Sequence, residues 1–188
     1  MTDITLKDLV EKVQAWGDDK KITSHENVDK QYMKFIEEVL EFKTELDLKA
    51  YIEKNGLYSD DGGFTITDAL GADKEKVEKA LKLEMGDILV TLIIMAKQKG
   101  YDFVQMYEGQ TKHFIVSSDK RFLLLMEKAI DLGKYGLQVN FIEVLSVLQI
   151  IAYWNNLYLE DCLSMAYDKI KDRKGKTIDE KIIKEEEL

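Results

Sequence analysis

The sequence predicts an all-α bundle, and three observations carry that reading. Proline is absent from all 188 residues, which removes the strongest helix breaker. Apolar residues recur at three- and four-residue intervals, beginning with Leu6, Leu9, Val10, Val13 and Trp16. From Ile88 to Ala96 nearly every position is apolar, the pattern of a central helix buried on all sides.

Taken in order, residues 6–18 form a first amphipathic helix, and Lys20 to Asn27 a polar connection. Asn27 is expected to cap a long second helix from Val28 to Lys54, which the turn pair Asn55-Gly56 ends. From Gly56 to Ala72, Gly, Asp, Ser and Thr replace the periodicity. This is a long loop around Asp60-Asp61-Gly62-Gly63, either a lid over a substrate or a plain surface insertion. Asp73 caps a third helix running to about Lys99, and Gly100 ends it. Asp102 opens a shorter helix to about His113, and Ser117 and Ser118 mark the next break. A fifth helix covers about 120–134 and stops at Gly136. Asn140 and Glu143 are expected to form a capping box that opens a sixth, to about Tyr158. Glu160 to Arg173 is a seventh, and KTIDEKIIK at 176–184 reads as a small hairpin around Asp179-Glu180.

Composition narrows the function. At 45% hydrophobic and 34% charged, the chain is globular and long enough for one large or two small domains. A net charge of −9 argues against a nucleic-acid polymer as partner, because phosphate backbones are held by surplus Lys and Arg. A free nucleotide stays open, since cations bound to acidic residues reverse the local sign. The single Cys162 argues against a disulfide framework. No signal-like segment opens the chain and no apolar run is long enough for a bilayer, so a cytoplasmic, membrane-free setting in a bacterium or phage host is expected.

The chemistry concentrates in two stretches. QYMKFIEEVLEF at 31–42 carries Glu37, Glu38 and Glu41, and LEMGDILVTLIIMA at 83–96 carries Glu84 and Asp87. At about 100° per residue, Gln31, Lys34, Glu38, Glu41 and Glu45 share an arc of about 80°. Glu84 and Asp87, one turn apart, head the apolar run. Bare carboxylates there would cost several kcal/mol each to desolvate. Two acidic pairs on facing helices meet that need by coordinating Mg²⁺ or Mn²⁺ through oxygen. The plainer account is a solvated acidic face with Lys34 and Glu38 as an ordinary i,i+4 ion pair. Glu84 has no such partner in its own helix.

Glu37-Glu38-x-x-Glu41 followed by Glu84-x-x-Asp87 resembles the EExxE…ExxD signature of the all-α nucleoside triphosphate pyrophosphohydrolases, the family of MazG and the dimeric dUTPases. The 42 residues between Glu41 and Glu84 are more than is usual there. The resemblance implies a MazG-like helical bundle that hydrolyses a nucleoside triphosphate, most naturally a deoxynucleotide, to monophosphate and pyrophosphate. It implies Mg²⁺, with Mn²⁺ as a substitute, held by Glu38, Glu41, Glu84 and Asp87. Glu37 would position or deprotonate the attacking water, beside Glu38 as the second catalytic carboxylate.

The substrate side is less specific. Lys34 and Gln31 share the acidic face, and Trp16 is placed to stack on a base or to fill the core. The basic stretch 166–176 resembles the closing segment of phage MazG-like proteins. It offers Lys169 and Arg173, with Lys174 and Lys176, to phosphates, or else to a helix dipole. His25 and His113 stand isolated, and no Glu-x-x-His occurs.

The second half reads as a worn copy of the first. LMEKAIDLG at 125–133 lies over 35–43, and IEVLSVLQII at 142–151 over 83–92, with Asp161 over Asp102 and Met165 over Met106. Lys128 then stands for Glu38 and Ser146 for Asp87. Residues 1–116 would be the half with the site, and 117–188 a degenerate half that plays the part of a partner subunit. A homodimer is also possible. The rival from another class is a non-catalytic bundle that associates with a partner protein, its carboxylates being surface charges.

Overall fold

The computed structural model describes residues 5–55, 74–109, 120–173, 175–178 and 181–184, of which Lys74 and the last two stretches are described by backbone alone. Seven helices are present among these residues. They are α1 (Leu6–Asp19), α2 (Val28–Lys54), α3 (Lys74–Lys99), α4 (Phe103–Glu108), α5 (Arg121–Tyr135), α6 (Gln138–Trp154) and α7 (Leu159–Ile170). A 3-10 turn, His25–Asn27, leads into α2, and an antiparallel hairpin of β1 (Gly175–Ile178) and β2 (Lys181–Lys184) follows α7.

The ends of these helices follow from local chemistry. Thr5 opens α1 with a capping box: its hydroxyl accepts from the Asp8 N–H at 3.2 Å, and the Asp8 carboxylate accepts from the Thr5 N–H at 3.0 Å. Asp102 caps α4, accepting from the Gln105 N–H at 3.1 Å. Gly136 ends α5 in the left-handed region at φ 60°, where its N–H reaches the Leu132 carbonyl.

Several expected boundaries move. Asn27 makes no side-chain cap; Ser24 instead caps the 3-10 turn ahead of it. The Asn140–Glu143 capping box is not formed. Helix α6 begins at Gln138, which puts Asn140 at its third position, and the Asn140 amide oxygen accepts from the Leu137 N–H at 3.2 Å. Glu143 turns to Lys128 on α5, 3.2 Å away. Helix α6 ends at Trp154 rather than Tyr158, where the Asn155 amide bonds back to Ile151. Helix α7 ends at Ile170 rather than Arg173. The Asp73 cap, the 56–72 loop, the break at Ser117 and Ser118, and the end expected for α4 at His113 lie outside the described residues.

Helix α3 is the axis of the bundle. Every residue from Met85 to Ala96 is buried, and its largest contacts are with α2 and α7. Helices α2 and α3 run antiparallel. Ile22 and His25, ahead of α2, bond to Gln98 near the end of α3, while Glu38 in mid-α2 meets Asp87. Helices α5 and α6 form a second antiparallel pair, tied back by Tyr32 to the Ala129 carbonyl and by Tyr101 edge-on to Phe141. One continuous apolar core includes Val13, Phe35, Ile93, Leu125, Leu148 and Leu163, so both halves share it. Among the described residues no helix is long and apolar enough to cross a membrane.

Gly86 sets the approach of α7. A β-carbon there would lie 2.1 Å from the Cys162 carbonyl oxygen and 2.7 Å from the Ala166 side chain, so any larger residue pushes the helices apart. Gly86→Ala is expected to destabilise the protein by about 1–3 kcal/mol through overpacking against backbone. Gly100→Ala meets no neighbouring atom and loses only about 1 kcal/mol to its positive φ. Urea denaturation of the two variants checks the order. Equal midpoints would mean α7 is not held at van der Waals limit against α3.

Candidate metal centre

Helices α2 and α3 bring three carboxylates together. One oxygen each from Glu38, Glu84 and Asp87 lies within 4.8 Å of the others. Glu38 is 5% exposed and Asp87 9%, while Glu84 is half-buried. Glu41, the fourth expected ligand, falls outside this group. It lies at the outer edge of the shared arc and is exposed, close enough to Glu38 and Glu84 to act on their charge. Glu37 stands further round α2 in solvent, 3.2 Å from Lys34.

Burial drives the electrostatics. Desolvation, opposed by Lys34 and reinforced by Asp87 and Glu41, pushes the Glu38 carboxyl up to about 7. Glu84 is likewise raised, first by desolvation and then by Asp87. Lys34 is itself partly desolvated, but its bonds to Glu38 and Glu37 hold it above its ordinary value.

Two lysines answer two of the acids. Lys34 Nζ is 2.7 Å from Glu38 Oε1, and Lys169 Nζ, arriving from α7, is 2.7 Å from Asp87 Oδ2. Glu84 Oε2 is buried with no hydrogen-bond partner. A buried, unpartnered carboxylate oxygen facing two other carboxylates is the donor set that a hard divalent cation takes. The residues therefore fit a hard divalent cation.

A cavity of about 520 Å³ adjoins the cluster and shares Glu38 and Asp87 as lining. Trp16, Ile22, Val90, Ile94 and Ile170 give it apolar lining, and Lys21, Lys30, Lys34 and Arg173 supply cations. Gln31 lines it as well, so Trp16, Gln31, Lys34 and Arg173, all expected at a substrate site, are brought together. Lys169 contacts the cluster rather than the cavity wall. The sequence does not single out Lys21, Ile22, Asn27, Lys30, Val90, Thr91, Ile94 or Ile170 as site residues. For Lys30, Val90, Thr91 and Ile94 the signal was present, because 30, 31, 34 and 38 share one face of α2, and 87, 90, 91 and 94 one face of α3.

No protein family, no curated protein and no solved structure matches this chain.

The raised carboxyls make stability depend on pH and metal in opposite senses. Glu38 titrates near 4.5 in model compounds and near 7 in the fold. Without metal, this group's contribution to stability is fully present below about pH 4.5 and is lost as pH rises through about 7. A divalent cation takes only the ionised carboxylates and displaces their protons, so its own stabilisation grows over that same window. The gain in Tm from millimolar Mg²⁺ is expected to be small at about pH 5 and largest at about pH 8. Glu38→Gln should remove most of it. A gain that is flat with pH would show that the ion binds elsewhere.

Proposed function

We propose that this protein is a Mg²⁺-dependent hydrolase that converts a nucleoside triphosphate, preferentially a deoxynucleotide, to the monophosphate and pyrophosphate. The observation that carries the reading is the sharing of Glu38 and Asp87 between the three-carboxylate cluster and the cavity with its Lys and Arg lining. The resemblance of Glu37-Glu38-x-x-Glu41 and Glu84-x-x-Asp87 to the all-α pyrophosphohydrolases supports the same conclusion from sequence.

Glu38, Glu84 and Asp87 would hold the ion, with Glu41 at the rim. When bound, Mg²⁺ supplies Lewis-acid polarisation of phosphate oxygens and a lowered pKa for water. The chain's own residues do the rest. Lys34 and Arg173 meet the negative phosphates, Arg173 through its planar fork. Gln31 offers an amide to orient them. Trp16, with Ile22 and Ile94, gives the nucleoside an apolar bed from which water is displaced. Glu37, which stands in solvent beside Lys34 and outside the cavity lining, would receive a proton from the attacking water on the strength of the resemblance alone.

The rival reading, a non-catalytic bundle that docks a protein, draws on Tyr153, Trp154 and Tyr158, exposed around the end of α6. It offers no reason for three carboxylates to be packed beside one another under a cavity.

Two outcomes test the proposal. Hydrolysis in ¹⁸O water should place label in the monophosphate and leave pyrophosphate unlabelled, because attack is at the α-phosphorus. Label in orthophosphate, or in pyrophosphate, would overturn the mechanism. Single Ala substitutions of Glu38, Glu84 or Asp87 should lower kcat/KM by about 100-fold or more with the helical circular dichroism intact. Glu41→Ala should cost less than any of the three. Asp131→Ala and Glu143→Ala, in the second half, should stay within about tenfold of wild type. A folded Asp131→Ala protein without activity would move the site to the second half.

A further inference from the structure

The two most buried carboxylates of the cluster already hold ammonium groups. Lys34 takes Glu38 from α2 and Lys169 takes Asp87 from α7, both at 2.7 Å. Their side chains are 46% and 36% exposed, so each reaches inward from the surface on a flexible stem. Three acids thus face two cations, and the third acid, Glu84, keeps a buried oxygen without a partner. An added divalent cation offsets a deficit of positive charge that Glu37 beside Lys34 and Glu41 at the rim deepen. It also competes for the same oxygens that the lysines hold.

We infer that Lys34 and Lys169 are exchangeable counter-ions, neutralising Glu38 and Asp87 when no divalent cation is present and passing to the phosphates of the ligand when one takes the carboxylates. The inference rests on the proposed function and adds the order of events at that site. An ammonium beside a newly bound divalent cation is repelled by it, and its carboxylate oxygen is no longer available. Lys34 lines the cavity; Lys169 does not, but Arg173, three residues past the end of α7, does, so the segment that carries Lys169 reaches the same cavity. Lys169 therefore opposes metal binding and favours phosphate binding. One residue with opposite effects on two ligands of one site is the signature of exchange. A bystander charge does not have it, and neither does a structural prop.

Lys169→Met decides the matter, because it keeps the length of the stem and removes the charge. Calorimetry with Mn²⁺ alone should show the variant binding metal roughly fivefold or more tightly than wild type. Calorimetry with tripolyphosphate in excess Mg²⁺ should show roughly tenfold weaker binding. Lys169→Arg keeps the charge and should not show the tighter metal binding. Lys171→Met, which removes a nearby surface charge paired with Asp168, should move neither value. Loss of affinity for both ligands would make Lys169 a structural prop. Tighter Mn²⁺ with unchanged tripolyphosphate would make it a bystander charge. Either outcome overturns the exchange while leaving the metal site standing. A wild-type protein that takes no Mn²⁺ overturns the proposed function and the exchange together.

Discussion

The fold turns on the burial of Asp87. It sits in α3 between Gly86 and the longest apolar run in the chain, with every residue from Met85 to Ala96 buried. A charge in such a place costs several kcal/mol unless counter-charges come to it. Its neighbour makes that possible. Gly86 has no side chain, so the backbone of α7 closes on α3 at Cys162 and Ala166, and Lys169 is carried within 2.7 Å of Asp87. On the other flank the long α2 brings Lys34 and Glu38. Gly86 thus lets α7 close on α3, and Asp87 beside it pairs with the lysine that α7 carries.

Much of the fold was legible because its signals are local. With no proline, helices run until a cap or a glycine stops them, and Asn55, Gly100 and Gly136 do so where expected. Asn140 was misread for an instructive reason. A capping box is defined by its distance from the helix start, and the chain turns at Leu137, so Asn140 supplies the third-position acceptor instead of the cap. Glu143 is then left to pair across the hairpin. A motif of two residues cannot locate itself.

The carboxylates were legible for a stronger reason, since burial, spacing and charge all point the same way. Helical projection places Glu38 and Glu41 on one face but does not say where that face meets its neighbour. The contact falls on the Glu38 edge, so Glu41 is left at the rim. The pairing of Lys169 with Asp87, 82 positions away in sequence, has no local trace. It depends on how closely α7 packs, which depends in turn on a glycine whose role only the folded chain reveals.

The same chain contains an acidic helix pair arranged the other way round. At the α5–α6 hairpin Lys128 is the interior group, holding Glu143 at 3.2 Å, with Glu127 and Asp131 near 4 Å and all three acids wetter than it is. An interior ammonium ringed by outer carboxylates is a fixed cross-link: the cation is covalently attached and nothing smaller or more highly charged is needed. In the first half the acids are interior and the ammonium groups reach in from water. That arrangement leaves the carboxylates lining the buried space, where under the proposed function a smaller, doubly charged cation would take the place of the ammonium groups. Which partner is inside separates a structural ion pair from a ligand site, more sharply than the count of acidic residues in either.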